Sequence, residues 1–203
     1  MFLGDPDLLD RPDVSDSQHA SNVSTWVRRW SHLLVPGTSV LDVACGSGRH
    51  MKWFSERGHP VTGIDRSMDA IDTAKAYGEA VLADIETAPW PLQEEGCARQ
   101  FGAVIITNYL WRPLFPLIAS SLAPGGALIY ETFSQGNEAL GKPSRADFLL
   151  QPAELLTVFA KLRTVAFEEG LLENPARVVQ RFAAVNQVAM DSNRGHQVIG
   201  LSS

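Results

Sequence analysis

Short apolar segments with the character of β-strands alternate along this chain with segments of helical periodicity, and this alternation constrains the fold more than any other feature. The strand-like segments of the first two thirds of the chain are 39–44, 60–64, 80–83, 101–107 and 127–133. The helices predicted between them lie at about 49–57, 67–78 and 113–122. Strands that are joined through helices pair in parallel, and their crossovers are right-handed.

The two ends of this pattern extend the prediction. A helix is expected from a cap at Ser21 or Asn22 to about Leu34, because apolar residues recur there at helical spacing. The C-terminal segments are a helix at 152–161 and strands at 162–170 and 177–187, which are joined as a hairpin. Irregular structure is predicted at 85–100, in the turn APGG at 123–126, and in a long loop at 134–150.

These elements predict an α/β fold. It is a three-layer, Rossmann-like sandwich with a mostly parallel seven-stranded sheet, to which the terminal hairpin adds an antiparallel strand. The chain has 203 residues, enough for a single domain with a substantial core. We expect that domain to span residues 21–187, with a flexible N-terminal arm at 1–20 and a flexible tail at 188–203.

Composition excludes several classes of function. The net charge of −6 and the absence of a run of basic residues argue against nucleic acid as a principal partner. No segment has the roughly 18 apolar residues of a membrane span, and the histidines show no metal-ligand spacing. Two cysteines do not make a disulfide framework, so a cytoplasmic protein is expected.

The segment Asp42–Gly48, with the sequence DVACGSG, connects the first predicted strand to a helix. Gly46 and Gly48 allow a sharp turn that a ligand can approach closely. Asp65 and Asp84 follow the second and third strands, as Asp42 ends the first. The carboxyl ends of parallel strands meet at one edge of the sheet, which is where ligands bind in such folds. We therefore expect the three carboxylates to converge on one binding site.

The nature of the turn indicates which nucleotide it holds. A dinucleotide fold has a third glycine where this chain has Met51, and Asp42 would repel a pyrophosphate. A ligand with a cationic aminoacyl tail fits better, because Asp42 can hold its ammonium group directly or through water. A nicotinamide-dependent oxidoreductase on the same fold remains the alternative.

Five segments in order resemble the motifs of class I S-adenosylmethionine-dependent methyltransferases, and the resemblance covers about residues 20–187. The segments are VLDVACGSGRH, GIDRS, LADIE, FGAVIITNYL and LAPGGALIYETF. Three further segments, NYLWRPLFP, ETFSQGNEALGKP and FLLQPAEL, resemble the small tellurite-resistance-type branch of this superfamily. Members of that branch need not share one methyl acceptor, because a fold does not fix a substrate.

The resemblance implies S-adenosylmethionine as the cofactor and gives each matching residue a role. Asp42 would lie near the amino group of the methionine moiety, which the backbone of Ala44, Gly46 and Gly48 would line. Asp65 would accept hydrogen bonds from both ribose hydroxyls, since a carboxylate offers two acceptor oxygens. The remaining cofactor-binding residues would be Arg66 and Ser67 beside the adenine, Asp84 and Ile85 on its amine and ring nitrogen, and Asn108 near the sulfonium.

The methyl acceptor is expected to be a small molecule, and three residues are candidates for its site. Tyr109 could donate a hydrogen bond to the acceptor, and Arg112 could bind an anionic acceptor in bidentate fashion. Glu131 could act as a base, or it could be paired with a cation such as Arg145. A soft nucleophile needs no protein base, whereas an oxygen acceptor usually does. A protein that binds S-adenosylmethionine without catalysing methyl transfer is a further alternative.

Overall fold

The computed structural model describes residues 22–187 of the chain, so the arm predicted at 1–20 and the tail predicted at 188–203 lie outside the described residues. Within this range one sheet contains seven strands, which we number in chain order. They are β1 (Val40–Val43), β2 (Val61–Asp65), β3 (Glu79–Leu82), β4 (Phe101–Thr107), β5 (Leu122–Phe133), β6 (Arg163–Glu173) and β7 (Ala176–Val185). Their order across the sheet is β3-β2-β1-β4-β5-β7-β6.

The strand pairings confirm a mostly parallel sheet with an antiparallel end. On β1, Val40 pairs in parallel with Val61 of β2 on one side and with Ala103 of β4 on the other. β5 is parallel to β4 but antiparallel to β7, where Ile129 pairs with Ala183. β6 and β7 form the predicted hairpin. The strand order reverses between β1 and β4, and this reversal creates the crevice in which α/β sheets bind ligands.

The helices lie in the predicted places but are shorter than predicted. They are α1 (Thr25–Trp30), α2 (Arg49–Ser55), α3 (Met68–Ala74), α4 (Phe115–Ser120) and α5 (Glu154–Val158). The cap of α1 is Ser24 and not Ser21 or Asn22, since the Ser24 hydroxyl accepts hydrogen bonds from the backbone N–H groups of Trp26 and Val27 at 3.1 and 3.3 Å. The α-helix ends at Trp30, and a 3₁₀ turn carries the chain on to Leu33.

Two segments predicted to be irregular contain strand structure. The APGG segment lies inside β5: Phe101 of β4 pairs with Leu122 and Ala103 pairs with Ala127, so the ladder shifts register across the glycines. A short antiparallel pair joins Gln93–Glu94 to Cys97–Ala98 within the predicted loop 85–100. Its turn is Glu95-Gly96, both at positive φ, which is the geometry of a tight hairpin.

The long loop after β5 is closed at its base. Ser134 forms a parallel bridge with Leu150, and the backbone N–H of Leu150 donates to the carbonyl of Phe133 at 3.0 Å. Between these points the chain makes two 3₁₀ turns, Asn137–Ala139 and Ala146–Phe148. The loop is therefore a compact excursion that begins and ends at the carboxyl edge of the sheet.

Alternate side chains of the central strands pack against helices on opposite faces of the sheet, which confirms the three-layer sandwich. On β4, Val104 and Ile106 belong to the cluster with Phe159, whereas Ile105 belongs to the cluster with Trp26 on the other face. A strand buried on both faces is apolar throughout, which is why β4 has the sequence FGAVIIT. None of the helices within residues 22–187 is both long and apolar enough to cross a bilayer.

Candidate functional site

A cavity of about 310 Å³ opens at the carboxyl edge of the sheet, where β1, β2, β3, β4 and β5 end. Its volume is in the range of small-molecule binding sites. The lining residues are Ala44, Asp65, Arg66, Ser67, Ala83, Asp84, Ile85, Glu86, Asn108, Tyr109, Leu110, Thr132, Phe133, Pro143 and Phe148. Seven of the ten residues predicted to bind the cofactor are in this set, and Asp42, Gly46 and Gly48 are not.

Asp65, the last residue of β2, is held by two backbone donors. Its Oδ2 accepts from the N–H of Gly46 at 2.8 Å, and its Oδ1 accepts from the N–H of Ser67 at 2.9 Å. The carboxylate is thereby fixed between the glycine turn and the cap of α3. Each oxygen keeps a second lone pair, so the group can still accept two hydrogen bonds from a ligand. This arrangement suits a pair of neighbouring hydroxyl groups.

Asp84 is oriented in a similar way just beyond β3. One carboxylate oxygen accepts from the backbone N–H of Glu86 at 3.1 Å, and the other accepts from the hydroxyl of Thr87 at 2.9 Å. The neighbouring Ile85 is buried and forms an apolar part of the wall. An acceptor oxygen beside an apolar surface is the environment that an aromatic base with an exocyclic amine requires.

The glycine turn between β1 and α2 brings backbone, and not side chains, next to Asp65. Gly46 has φ +54°, and a Cβ built on it would meet no atom within 4 Å, so it faces open space. Gly48 has φ +81°, and a Cβ there would lie 3.1 Å from the side chains of Ala74 and Tyr77. Gly48 therefore allows α2 and α3 to pack closely, whereas Gly46 leaves room for a ligand. Ala44, also at positive φ, lines the cavity itself.

Asn108 follows β4 with a positive φ of 56°, and its backbone N–H donates to the carbonyl of Glu131 at 2.9 Å. Its side-chain oxygen Oδ1 is buried and has no hydrogen-bond partner among the described residues. A strained backbone and an unsatisfied buried acceptor are both costly, and such features gather at binding sites. Because Asn108 lines the cavity, a bound ligand could donate a hydrogen bond to its Oδ1.

Asp42 does not lie on the rim of the cavity, contrary to the prediction from its position at the end of an apolar strand. Asp42 is 1% exposed, and its carboxyl group accepts a hydrogen bond from the backbone of Met51 in α2. Burial raises the pKa of this carboxyl to about 7, with the positive charge of Arg49 opposing the shift and the negative charge of Asp65 adding to it. The Asp42 carboxyl group is not among the polar groups that line the cavity.

Tyr109 lines the cavity as predicted, and its hydroxyl lies 3.3 Å from Glu86 Oε1. Arg112 is not among the lining residues. Its guanidinium binds both oxygens of Glu154, at 2.7 and 2.9 Å, and two backbone carbonyls of the loop that follows β5. Its five donors are largely engaged, so the geometry does not support Arg112 as a ligand for an anionic acceptor.

Glu131 is 2% exposed and is paired with two arginines of β7. Arg181 Nε lies 2.7 Å from one carboxylate oxygen, and Arg177 lies 3.2 Å from the other. The predicted partner Arg145 instead pairs with Asp147 at 3.1 Å. Both carboxylate oxygens of Glu131 are thus engaged by arginines within the sheet, and this pairing favours a structural role for Glu131 over that of a base.

The sequence did not single out the residues that form the apolar part of the cavity. They are Ala83, Leu110, Thr132, Phe133, Pro143 and Phe148, to which the carboxylate of Glu86 is added. Thr132 and Phe133 could have been found, because they end β5 as Asn108 follows β4. Pro143 and Phe148 belong to the loop that folds back over the edge, and no periodicity in the sequence indicates its path.

The cavity and its surroundings fit S-adenosylmethionine. Acceptors dominate the polar groups: the carboxylates of Asp65, Asp84 and Glu86 line the cavity, and Arg66 is the cation among the lining residues. The unsatisfied Asn108 Oδ1 adds a further acceptor. The complementary ligand has a positive charge and several N–H and O–H donors, as the ammonium, ribose and adenine groups of this cofactor provide.

Comparisons with known proteins agree with this interpretation. Residues 40–126 match the model of the family described as methyltransferase domain. The malonyl-[acyl-carrier protein] O-methyltransferase of Serratia marcescens is 28% identical over 109 residues, which are 50% of this chain and 41% of that protein. The ribosomal protein L11 methyltransferase of Burkholderia multivorans is 33% identical over 97 residues, which are 46% of this chain and 31% of that protein.

Among solved structures, TehB from Haemophilus influenzae superposes with a TM-score of 0.67 at 18% identity, covering 81% of this chain and 63% of TehB. This likeness is one of fold. The chain spans less than half of the length of the two curated relatives. The residues matched by the family model, 40–126, include the glycine turn, Asp65 and Asp84. The matched domain, over residues 40–126, and these relatives make the chain similar to methyltransferases, and the strand order and the likeness to TehB give it their fold.

Proposed function

We propose that this protein binds S-adenosylmethionine in the cavity at the carboxyl edge of the sheet and transfers its methyl group to a small molecule. The observation that carries the proposal is the placement of Asp65 and Asp84 at adjacent strand ends of one cavity, each oriented by its own hydrogen bonds. A ribose and an adenine amine are the two groups of the cofactor that such a pair of acceptors can bind.

Four of the lining residues bind different parts of the cofactor in this proposal. Asp65 accepts from the ribose hydroxyls, Asp84 accepts from the adenine amine, and Ile85 packs on the ring. Asn108 Oδ1 accepts from a donor near the centre of the cavity. When bound, the cofactor supplies a methyl group that is already activated, because it is attached to a sulfonium sulfur that departs as a neutral thioether. The chain then contributes mainly by placing an acceptor in line, and positioning alone lowers such a barrier by up to about 7–11 kcal/mol.

The acceptor enters from the side of Tyr109, Phe133 and Phe148, where the cavity wall is mostly apolar. The carboxylate of Glu86, which lies 3.3 Å from the Tyr109 hydroxyl, gives this side a negative charge. These features favour a small acceptor that is neutral or cationic over an anionic one. The names of the curated relatives include acceptors carried on an acyl-carrier protein and on a ribosomal protein. A protein-bound acceptor is therefore the competing hypothesis.

The first experiment is calorimetric titration of the purified protein with S-adenosylmethionine and, separately, with reduced nicotinamide adenine dinucleotide. We expect saturable binding of the former alone, because three carboxylates at the cavity repel a pyrophosphate. Methyl transfer from the radiolabelled cofactor is then assayed on a fraction of small metabolites and on a protein fraction. Label in the small-molecule fraction supports the proposal. Binding without transfer to either fraction would identify a non-catalytic binding protein, and no binding would refute the site.

A further inference from the structure

A line of three groups, of which His50 and Asp42 are buried, runs from the cap of α1 at Ser24 to β1. The backbone N–H of Ser24 donates to His50 Nε2 at 3.2 Å, and His50 Nδ1 lies 3.9 Å from Asp42 Oδ2. The side chains of His50 and Asp42 are each 2% exposed. Because Ser24 caps α1, this line connects the entry of the first helix to the carboxyl group beneath the cofactor site.

The hydrogen bond from Ser24 fixes the tautomer of His50. Burial and the nearby charge of Arg49 hold the pKa of this imidazole well below its usual 6.5, so the ring is neutral. A neutral imidazole has one N–H and one acceptor nitrogen. Since Nε2 accepts from Ser24, the proton resides on Nδ1, the nitrogen nearer to Asp42.

The hydrogen bonding of the Asp42 carboxyl group is incomplete. Its carboxyl group receives a hydrogen bond from the backbone N–H of Met51, and its charge is influenced by Arg49 of α2 and by Asp65 of β2. Burial, together with the negative charges of Asp42 and Asp65, raises the pKa of the neighbouring Cys45 thiol. Its Oδ2 atom has no hydrogen-bond partner among the described residues, and the distance of 3.9 Å to His50 is too long for one. A buried oxygen of this kind is costly unless a bound group or a small movement satisfies it.

We propose that His50 is a positioning residue that holds the Asp42 carboxyl group for the cationic end of S-adenosylmethionine, and that the start of α1 holds His50. The inference rests on the proposed function, since it concerns the same site. A ligand cation near the turn favours the Asp42 carboxylate, which the Nδ1–H of His50 then stabilises across a shortened contact. Asp42 begins with a pKa of about 7 in the free protein, so a proton passes from it to the buffer when the cofactor binds near neutral pH.

Two substitutions separate the two contacts of His50. His50→Asn keeps an N–H donor near the position of Nδ1 but no acceptor at the position of Nε2. His50→Gln keeps an acceptor within reach of Ser24 but places no donor at the position of Nδ1. If His50 serves only packing, both variants lose stability and neither changes the proton balance of binding.

The test is calorimetric titration with S-adenosylmethionine in pairs of buffers that differ in ionisation enthalpy, from pH 5.5 to 8.5. For the wild-type protein we expect release of up to one proton below pH 7 and of almost none at pH 8.5. His50→Gln should bind about tenfold more weakly at pH 6.5, and it should release fewer protons than the wild type, because the Asp42 carboxylate of the bound state lacks the Nδ1–H donor. His50→Asn should restore the wild-type release in large part.

A third variant, the nearly isosteric Asp42→Asn, should release no proton at any pH, and it serves if the His50 variants fold poorly. Proton release in Asp42→Asn equal to that of the wild type would overturn the inference, as would identical binding and release in the two His50 variants. Absence of any binding by the wild-type protein would instead refute the proposed function.

Discussion

Asp65 is the residue whose surroundings give the clearest expectation. Both of its oxygens are already oriented by backbone N–H groups of Gly46 and Ser67, so the carboxylate does not need to reorganise when a ligand arrives. Asp65→Asn replaces one acceptor oxygen by an N–H₂ group that faces a backbone donor. Hydrogen bonds to a charged group contribute about 1.5–3 kcal/mol, so we expect affinity for S-adenosylmethionine to fall about 10- to 100-fold.

Calorimetry measures this loss, and circular dichroism checks that the fold is retained. The matched control is Asp72→Asn, on the exposed side of α3, where the carboxylate pairs with Lys75. It should bind the cofactor as the wild type does. Equal affinity of Asp65→Asn and the wild type would refute the assignment of Asp65 to the ribose.

Arg112 has a structural task in place of the predicted role in acceptor binding. It connects Glu154 of α5 to the carbonyls of Asp147 and Leu149 in the loop that covers the cavity. The Arg112 guanidinium also lowers the pKa of Glu154. Arg112→Ala should lower the free energy of unfolding by about 1–2 kcal/mol, because the side chain is one third exposed and its contacts are partly screened.

Urea denaturation measures that change, with Arg112→Lys as a variant that keeps the charge but cannot bind both oxygens of Glu154. We expect unaltered affinity for S-adenosylmethionine in both variants. If a variant lost methyl transfer while its free energy of unfolding stayed at the wild-type value, the prediction that Arg112 binds the acceptor would be supported instead.

At the scale of elements, the turn between β1 and α2 shows how a glycine can serve a ligand rather than the fold. Gly46 and Gly37 both have positive φ, and a Cβ at either would meet no atom within 4 Å. Gly46→Ala and Gly37→Ala should therefore cause a similar backbone strain, costing about 1–2 kcal/mol each. Only the methyl group at Gly46 points to the space assigned to the methionine moiety.

We accordingly expect thermal denaturation to show similar losses of stability for the two variants, and calorimetry to show weaker cofactor binding for Gly46→Ala alone. Weakened binding in Gly37→Ala to the same extent would mean that general loosening, and not occupied space, explains the effect.

The strands were easier to predict than the helices, for a physical reason. Buried parallel strands such as β4 must be apolar along their whole length, which marks both ends clearly in the sequence. The helices are amphipathic and short, and their ends depend on single caps. The sequence offers Ser21, Asn22 and Ser24 as caps for α1, and only the packing of Trp26 and Trp30 into the core selects Ser24.

The site was predictable to the extent that it follows from the ends of strands. Asp65 and Asp84 could be placed because parallel strands deliver their carboxyl ends to one edge. The depth of Asp42 could not be predicted, since the direction of a side chain beneath a turn depends on the path of the turn. Phe148 reaches the cavity through a loop whose course is fixed by contacts with distant residues, among them the hydrogen bond of Arg112 to Leu149.

For the whole molecule, Asp42 and His50 make opposing contributions to stability. In the folded chain the pKa of Asp42 is raised to about 7 from 3.8, and the pKa of His50 is lowered well below 6.5. Between pH 5 and 6.5 the folded chain carries a proton on Asp42, and the unfolded chain carries one on His50. The two states bind equal numbers of protons at these groups, so the pair leaves the free energy of unfolding independent of pH there.

When either Asp42 or His50 is replaced, the free energy of unfolding depends on pH through the residue that remains. Relative to the wild type, Asp42→Asn should become more stable as pH rises from 5 to 6.5, since only unfolding then takes up a proton. His50→Gln should become less stable over the same range, because the folded state alone retains a proton. Each slope approaches 1.4 kcal/mol per pH unit at most. Urea denaturation at three pH values measures both, and parallel curves for all three proteins would contradict this account.

The bridge between Ser134 and Leu150 has a consequence for how such a scaffold changes over time. Because the intervening residues leave and rejoin the sheet at neighbouring points, their length and composition can vary without disturbing the pairing of β5 with β4 and β7. The loop between Ser134 and Leu150, which covers the cavity, can thus be exchanged while the sheet is kept. Grafting the equivalent excursion from a relative offers a route to new acceptors while the half of the cavity formed by β1, β2 and β3 stays as it is.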